Sequence, residues 1–498
     1  MNSLERTVAT TSISNKELAN FIGGRWIATG QTFENRSPID GSLNSLIHEA
    51  GQSEVSAAVD AARGALTGPW GALSADQRGR MLHTVADGIL RRFDDFVEAE
   101  IADTGMPIQL AKQIDVPRGA ANFRVFADLF QNVPTESFQM LGPEGNAVLN
   151  YGVRVPRGVV AVICPWNFPL LLMTWKVGPA LACGNTVVVK PSEETPTTAT
   201  LLAEVMAEVG VPDGVFNVLH GFGPNSTGEM LIKHPGVDGI TFTGETATGE
   251  VIMRAAADGV RPVSFELGGK NPAIVFADAD LDSAIAGLTR SVFQNTGQVC
   301  LGTERLYVER PIFDQFVRRL KTSAESLKVG RPTEQGVTLG PLISQAHRKK
   351  VLTYYERAVA DGARVVTGGG VPRMPDSLAA GAWIEPTIWT GLRDDSRICT
   401  EEIFGPCCHI APFDTVEEVI KRANSTTYGL AATVWTRNLA TAHRLAAALQ
   451  VGVCWINSWF LRDLRTAFGG AKQSGIGREG GIHGLEFYTE LRNVCVNW

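Results

Sequence analysis

The spacing of apolar positions divides this chain before any motif is considered. From Pro156 onward, short β-type apolar runs alternate with stretches of helical period, the pattern of βαβ units on a parallel sheet. GVVAVICPWNFPL opens that series, and NTVVVK comes after it as a buried strand. Thr195-Pro196 reads as an N-cap and an N1 proline that start the helix TTATLLAEVMAEV, which Gly210 stops. FNVLHG and GITFTG supply the next strands. A second α/β series begins after LGGKNPAIVFAD, with a helix from about Leu281 to Gln294, the strand RLYVER and a helix from about Ile312 to Leu327. A helix around residues 345–361 and the strand ARVVTGG come next, and GGVPRMPDSLAAGAW is a loop by composition. EGNAVLNYGVRVP and the terminal EFYTELRNVCVNW read as strand-like pieces outside both series, and pairing across subunits is one use for them.

Length and composition sharpen this picture. At 498 residues the chain exceeds what one core supports and predicts two or three domains. Apolar residues at 44%, charged residues at 19% and 52 glycines fit a compact α/β protein with many tight turns. The net charge of −7 comes without a basic stripe, so no nucleic-acid partner is expected, and an anionic ligand would need local arginines. The first residues, MNSLERTVATTSISNKE, hold no apolar leader core, and no apolar run approaches the ~18 residues of a membrane span. A cytoplasmic location and no membrane partner are therefore expected. Eight cysteines, at 164, 183, 300, 399, 407, 408, 454 and 495, show no CxxC and no Cys/His spacing, so neither a disulfide frame nor a metal site is predicted.

Among them Cys300 differs in its surroundings. FQNTGQVCLGTER places it between Gly297 and Gly302 and beside Asn295, Thr296, Gln298 and Thr303, in what reads as a flexible loop rich in hydrogen-bonding groups. A cysteine nucleophile needs an oxyanion holder and often a base. In VSFELGGKNP a strand-like run ends at Glu266 before Gly268-Gly269, a setting that raises a carboxyl pKa as a general base for water requires. PWNFP fixes Asn167 between two prolines, either as a pre-aimed oxyanion donor or as an Asx-turn. GITFTGETATG offers a Gly-rich strand-to-helix turn at Gly244 and Gly249, either a pyrophosphate site or a plain connection. WINSWFLRDLRTAFGG sets Arg462 among Trp459, Phe460, Leu461 and Leu464, where its charge must find an anion.

PWNFP, VVKPSEETP, FTGETATG, FELGGKNP, GQVCLGTER, TEEIFGP and AFGGAKQSGIGRE, in this order, resemble the NAD(P)-dependent aldehyde dehydrogenase superfamily from about Phe21 to Trp498. That resemblance implies Cys300 as nucleophile, Glu266 as general base, and Asn167 with the Cys300 N–H as oxyanion hole. It implies Lys190, Ser192 and Glu193 at the adenosine ribose, Trp166 and Gly244 at the cofactor, and Glu402 with Phe404 at the nicotinamide ribose and ring. A Glu accepting from a ribose diol repels a 2′-phosphate, which favours NAD over NADP. The chain departs from the family pattern at Glu245, where Ser commonly follows FTG. The implied α/β fold has a Rossmann-type NAD-binding domain over 1–135 and 157–268, a catalytic domain over 269–467, and a small β oligomerisation flap over 136–156 and 483–498. A homodimer or homotetramer is implied with it.

WFLRDLRTAFGG and DVPRGAANFRVFADL narrow the resemblance to bacterial dehydrogenases for 2-hydroxymuconic semialdehyde or its 2-amino analogue, in meta-cleavage catabolism of aromatics. On that resemblance Arg118, Arg462 and Trp459 bind a carboxylated aldehyde. Arg118 follows Pro117, a plausible helix N1 residue, and a cation in a first turn opposes the macrodipole and asks for an anion. An ion pair of Arg462 with Asp463 or another acid is the competing expectation. A general aromatic or aliphatic aldehyde dehydrogenase, a CoA-acylating enzyme, and a binding protein without chemistry are the remaining readings.

Overall fold

A computed structural model describes residues 16–498; the N-terminal stretch through Asn15, expected to hold no apolar leader core, lies outside the described residues. Two large sheets carry the fold. The first orders Gly475–Ile476, Val263–Glu266, Gly239–Thr243, Val159–Ile163, Thr186–Lys190, Phe216–Val218, Asn20–Ile22 and Arg25–Ile27. Its five middle strands are parallel, and the edge pairs are antiparallel. Val159–Ile163, Thr186–Lys190 and Gly239–Thr243 are buried along their whole length, as strands covered by helices on both faces must be.

The second sheet has seven strands in the order Arg364–Thr367, Thr387–Thr390, Cys407–Phe413, Thr303–Glu309, Asn271–Val275, Ala431–Trp435 and Val453–Ile456. Only its edge strand Arg364–Thr367 runs antiparallel. The helices Leu281–Phe293, Phe313–Glu325 and Gln345–Ala360 lie where apolar period placed them.

Three expectations change. The helix Thr197–Glu208 is not capped by Thr195, whose hydroxyl finds no partner among the described residues. Asp103 serves instead, its Oδ2 accepting from the Thr197 N–H at 3.0 Å and its Oδ1 from the Thr197 hydroxyl at 3.1 Å. A distant carboxylate thus replaces the local cap. The two leftover strand-like pieces pair with each other within this chain. Thr489–Asn497 runs antiparallel to Ala147–Pro156 from Thr489↔Pro156 to Asn497↔Val148, and Ser137–Leu141 adds a third strand. EFY belongs to the helix His483–Tyr488, so strand begins only at Thr489.

Pro117 does not open a helix either. A short helix at Ile108–Leu110 passes through a π-turn, Ala111–Asp115, into Val116–Phe130. The Val116 N–H reaches the Ala111 carbonyl across that turn, so the missing proline donor is absorbed inside a continuous helical run. Arg118 therefore has no free helix end beside it, and the macrodipole argument for an anion loses its basis.

Candidate active site

Parallel pairing collects the predicted residues. Ile163 is in register with Lys190, Phe242 with Ile163, and Thr243 with Glu266. The segments leaving these strands therefore emerge at one carboxyl edge: Trp166 and Asn167, Lys190 to Glu193, Gly244, and Glu266 itself. Ligands of open α/β sheets bind at this edge. Cys300 arrives from the second sheet, just before Thr303–Glu309.

The Cys300 loop is held by hydrogen bonds from several buried side chains. Asn295, Thr296 and Gly297 hold φ of 52°, 55° and 72°, and such strain persists only where the surroundings over-determine it. The Asn295 amide donates to the Asn167 carbonyl at 2.9 Å, and the Thr296 hydroxyl to the Gly340 carbonyl at 2.9 Å. Gln298 donates to the Asn295 carbonyl at 3.1 Å and accepts the Ile343 N–H at 2.8 Å. Asn271 Nδ2 donates to the carbonyls of Cys300 at 2.7 Å and Gly302 at 2.8 Å. These polar residues are buried and act as internal struts.

Asn167 makes no Asx-turn among the described bonds. Its buried side-chain amide crosses to the Gln298 carbonyl at 2.9 Å, leaving a second amide hydrogen for another acceptor. Trp459 is buried, with its indole N–H on the Leu301 carbonyl at 2.9 Å and its ring 5.0 Å from Phe460. It braces the Cys300 loop.

Glu266 is buried, and neither carboxyl oxygen has a partner among the described residues. Burial and then the charge of Glu479 raise its pKa well above the carboxylate range, against the pull of Lys176, Arg462 and Arg478. Burial, reinforced by Glu266 and Glu402, pushes the Cys300 thiol up to about 12, with the Leu301 N–H and Arg462 opposing. The thiol is therefore protonated at neutral pH and needs a base to react. Sequence reasoning missed the ion pair of Lys176 Nζ with Glu479 Oε1 at 2.7 Å, both of which act on the Glu266 carboxyl. A lone Lys in the apolar helix Pro169–Ala182 was its visible trace.

Lys190 Nζ donates to the Pro191 carbonyl at 2.6 Å and lies 3.5 Å from Glu193 Oε2. Ser192 Oγ accepts the Glu194 N–H at 3.3 Å, so it shapes the turn. The Gly244 N–H donates to the Glu266 carbonyl at 3.0 Å, linking turn and base. A Cβ on Gly249 would lie 2.7 Å from Leu267, so the helix Thr246–Ala257 approaches as only glycine permits. Glu245 at its N-cap makes no capping bond and turns outward to Lys350 at 3.4 Å, leaving the helix end open to an anion.

Glu402 Oε1 accepts the Gly269 N–H at 2.8 Å, and burial with the charge of Glu304 raises its pKa to about 8. Phe404 is held at φ 61°, with its ring edge-on to Trp166 at 5.4 Å. Three groups missed in the sequence hold that backbone. Glu304, ion-paired to Lys270, accepts the N–H groups of Ile403 and Phe404, and His347 Nε2 bonds the Phe404 carbonyl at 2.8 Å.

Arg462 is the outlier. Its guanidinium carbon lies 3.7 Å from the Phe468 ring centroid and 4.2 Å from that of Trp175, and Nε and Nη2 have neither solvent nor a partner among the described residues. Asp463 bonds Arg465 instead, Oδ2 to Nη2 at 2.6 Å, so the expected neighbour pair does not form. Burial first, and then Arg118, lowers the Arg462 pKa to about 10, and burial lowers that of Arg118. A cavity of about 680 Å³ opens from Arg462 past Leu464, Leu129 and Val125.

The sequence pattern of the Aldehyde dehydrogenase family matches residues 26–494. The chain is 66% identical to a 2-hydroxymuconic semialdehyde dehydrogenase of Pseudomonas sp. (strain CF600), covering 97% of this chain and 99% of that one. It is 58% identical to a 2-aminomuconic 6-semialdehyde dehydrogenase of Pseudomonas sp., over 97% and 98% of the two chains. Its fold superposes on the NAD+ complex of an aldehyde dehydrogenase from Bacillus cereus with TM-score 0.93, 39% identity and 97% of each chain covered. A thiol, an unpartnered buried carboxyl and a side-chain amide at the carboxyl edge of a nucleotide-type sheet agree with these likenesses, and the chain belongs to the aldehyde dehydrogenase family.

Proposed function

We propose that this enzyme oxidises a carboxylated semialdehyde, 2-hydroxymuconate-6-semialdehyde, to the dicarboxylate with NAD. The observation that supports this most is Arg462, a guanidinium with two orphaned donors between aromatic rings and beside a second arginine. A planar fork between flat rings suits the carboxylate of a conjugated dienoate.

The residues fit NAD. Lys190 and Glu193 hold the adenosine ribose, the open helix end after Gly244 takes the pyrophosphate, and Glu402 and Phe404 set the nicotinamide end, with Ser192 and Trp166 completing the cradle. The bound nicotinamide supplies the hydride acceptor. Cys300 passes its proton to water and bonds the aldehyde carbon as the thiolate, and the Asn167 amide with the Cys300 N–H holds the oxygen that becomes negative. After hydride loss the carbon is a thioester on Cys300. Glu266 then takes a proton from water, which adds to the thioester carbon, and the thiolate leaves. A hydrolytic base in place makes a CoA acceptor unnecessary.

In this reading 1–135 with 157–268 bind the cofactor and 269–467 carry Cys300. The flap of 136–156 and 483–498 joins copies into a homodimer or homotetramer, using exposed Phe138, Met140 and Leu141. The 2-amino analogue is the second reading, favoured by the 58% identity to the aminomuconic relative. NADH formation with hydroxymuconic, aminomuconic and uncharged aldehydes tests both. Equal kcat/KM for uncharged and carboxylated substrates would overturn the assignment.

A further inference from the structure

Two acids outside the active site are buried against the helix that Asn167 leads into. Glu100 lies in the helix Phe93–Thr104, and Asp115 ends the π-turn before Val116–Phe130; both are fully buried. The helix Pro169–Ala182 begins with a residue that has no N–H, and the Leu172 N–H already bonds the Phe168 carbonyl. That leaves Leu170 and Leu171 as the orphan donors of its first turn. Glu100 Oε1 accepts the Leu170 N–H at 3.0 Å and the Thr198 hydroxyl at 3.2 Å. Asp115 Oδ1 accepts the Leu171 N–H at 2.8 Å. The remaining oxygens, Glu100 Oε2 and Asp115 Oδ2, are buried with no partner among the described residues, and the two carboxyls sit side by side on successive N–H groups of one helical turn.

Two unscreened negative charges side by side in a core are not sustained, so one proton must sit between them. Burial raises the Glu100 pKa, and raises Asp115 to about 6. Glu100 is the proton holder, donating to Asp115. The resulting single negative charge faces the positive end of the helix.

The clamp continues beyond this pair. Asn122 Nδ2 donates to the Leu171 carbonyl and to the Thr174 hydroxyl, each at 3.0 Å. A Cβ on Gly119 would lie 2.5 Å from Leu170, so the two helices touch closely there. Arg118 sits on one partner of this contact, and Asn167 lies two residues before the other.

We propose that Glu100 and Asp115, sharing one proton, are positioning residues that fix Asn167 relative to Arg118 by capping the Pro169–Ala182 helix. This rests on the reading of Asn167 as the oxyanion donor. If Asn167 holds the oxyanion, Asn167→Ala alone lowers kcat about 10²–10³-fold; an unchanged kcat would sink that reading without touching the acid pair.

The shared proton is tested by amides. Glu100→Gln and Asp115→Asn each keep one donor between the two side chains, so each alone should hold kcat within about threefold. The double variant puts two NH2 groups face to face, because both carbonyl oxygens are already taken by helix N–H groups. It should lose at least about tenfold beyond the product of the singles. Either single falling below a tenth of wild-type kcat, or a double that equals the product, overturns the pairing. Action through Asn167 is tested by Asp115→Ala, or by Asn122→Ala if the former does not fold. Either should lower kcat about tenfold in the native background and cost nothing further beside Asn167→Ala. Losses that multiply, with NAD affinity and thermal midpoint shifting alike, identify a merely structural role and refute the proposal.

Discussion

Replacing Arg462 by Gln removes a planar cation and leaves a neutral side chain of shorter reach. In the free protein this change is nearly neutral for stability. Orphaned buried donors cost about 1–3 kcal/mol, while the contacts over Trp175 and Phe468 return about 0.5–2 kcal/mol each. With a carboxylated substrate bound, the loss is of a fork-to-carboxylate pair in a site shielded from water. Truncating one partner of such a pair costs about 2–5 kcal/mol, and the remaining charge of Arg118 places this case at the low end. A loss of about 2–3 kcal/mol corresponds to ~30- to ~150-fold in kcat/KM, expressed mainly in KM. The assay monitors NADH absorbance with a carboxylated semialdehyde and with an uncharged aldehyde of similar length. The uncharged substrate should change less than about threefold, because nothing in it pairs with the guanidinium. Arg462→Lys should recover only part of the loss, since an ammonium cannot grip both oxygens. Equal losses on both substrates, or a fall confined to kcat, would falsify the carboxylate role.

Cys300, Glu266 and the flap give four further outcomes. Cys300→Ala should bind NAD with unchanged affinity by calorimetry while turnover disappears; substantial residual oxidation would remove Cys300 as nucleophile. Glu266→Gln should release about one NADH per site in a rapid burst and then stall at the thioester, which mass spectrometry of the trapped enzyme would detect. Burial raises the Glu266 pKa, so the base form is lost on acidification at a higher pH than for an ordinary carboxylate; the acid limb of the kcat profile should lie above 4.5, the ordinary Glu value, and a limb at or below it contradicts the buried-base assignment. Phe138→Glu with Met140→Glu, on one face of the exposed edge strand Ser137–Leu141, should lower the assembly state by light scattering, and an unchanged mass would show that copies do not meet there.

Local patterns in the chain had local causes and were legible. Thr186–Lys190 is buried on both faces and so reads as an unbroken apolar run, and the helix Leu281–Phe293 is announced by Asp280, whose side chain caps it. Cys300, Glu266 and Asn167 were visible because each sits at an abrupt change of pattern. The errors fell where a partner distant in sequence took over. Asp103 displaced Thr195 as a cap, and the π-turn absorbed Pro117.

The sequence by itself thus determined the alternation of strand and helix, the turns and loops that hold Cys300, Glu266 and Asn167, and the placing of Arg462 among aromatic and aliphatic neighbours. Tertiary structure alone decided that the carboxyl ends of parallel strands bring Asn167, Lys190, Gly244 and Glu266 to one edge facing Cys300. It alone decided that Asp463 turns to Arg465 and leaves Arg462 without an acid partner among the described residues, and that Lys176 and Glu479 pair near Glu266. The reason is range: hydrogen-bond and hydrophobic periodicity act over a few residues and leave a trace in their order. Desolvation, charge pairing and pKa depend on which atoms are within a few ångströms, and only the folded chain sets those distances.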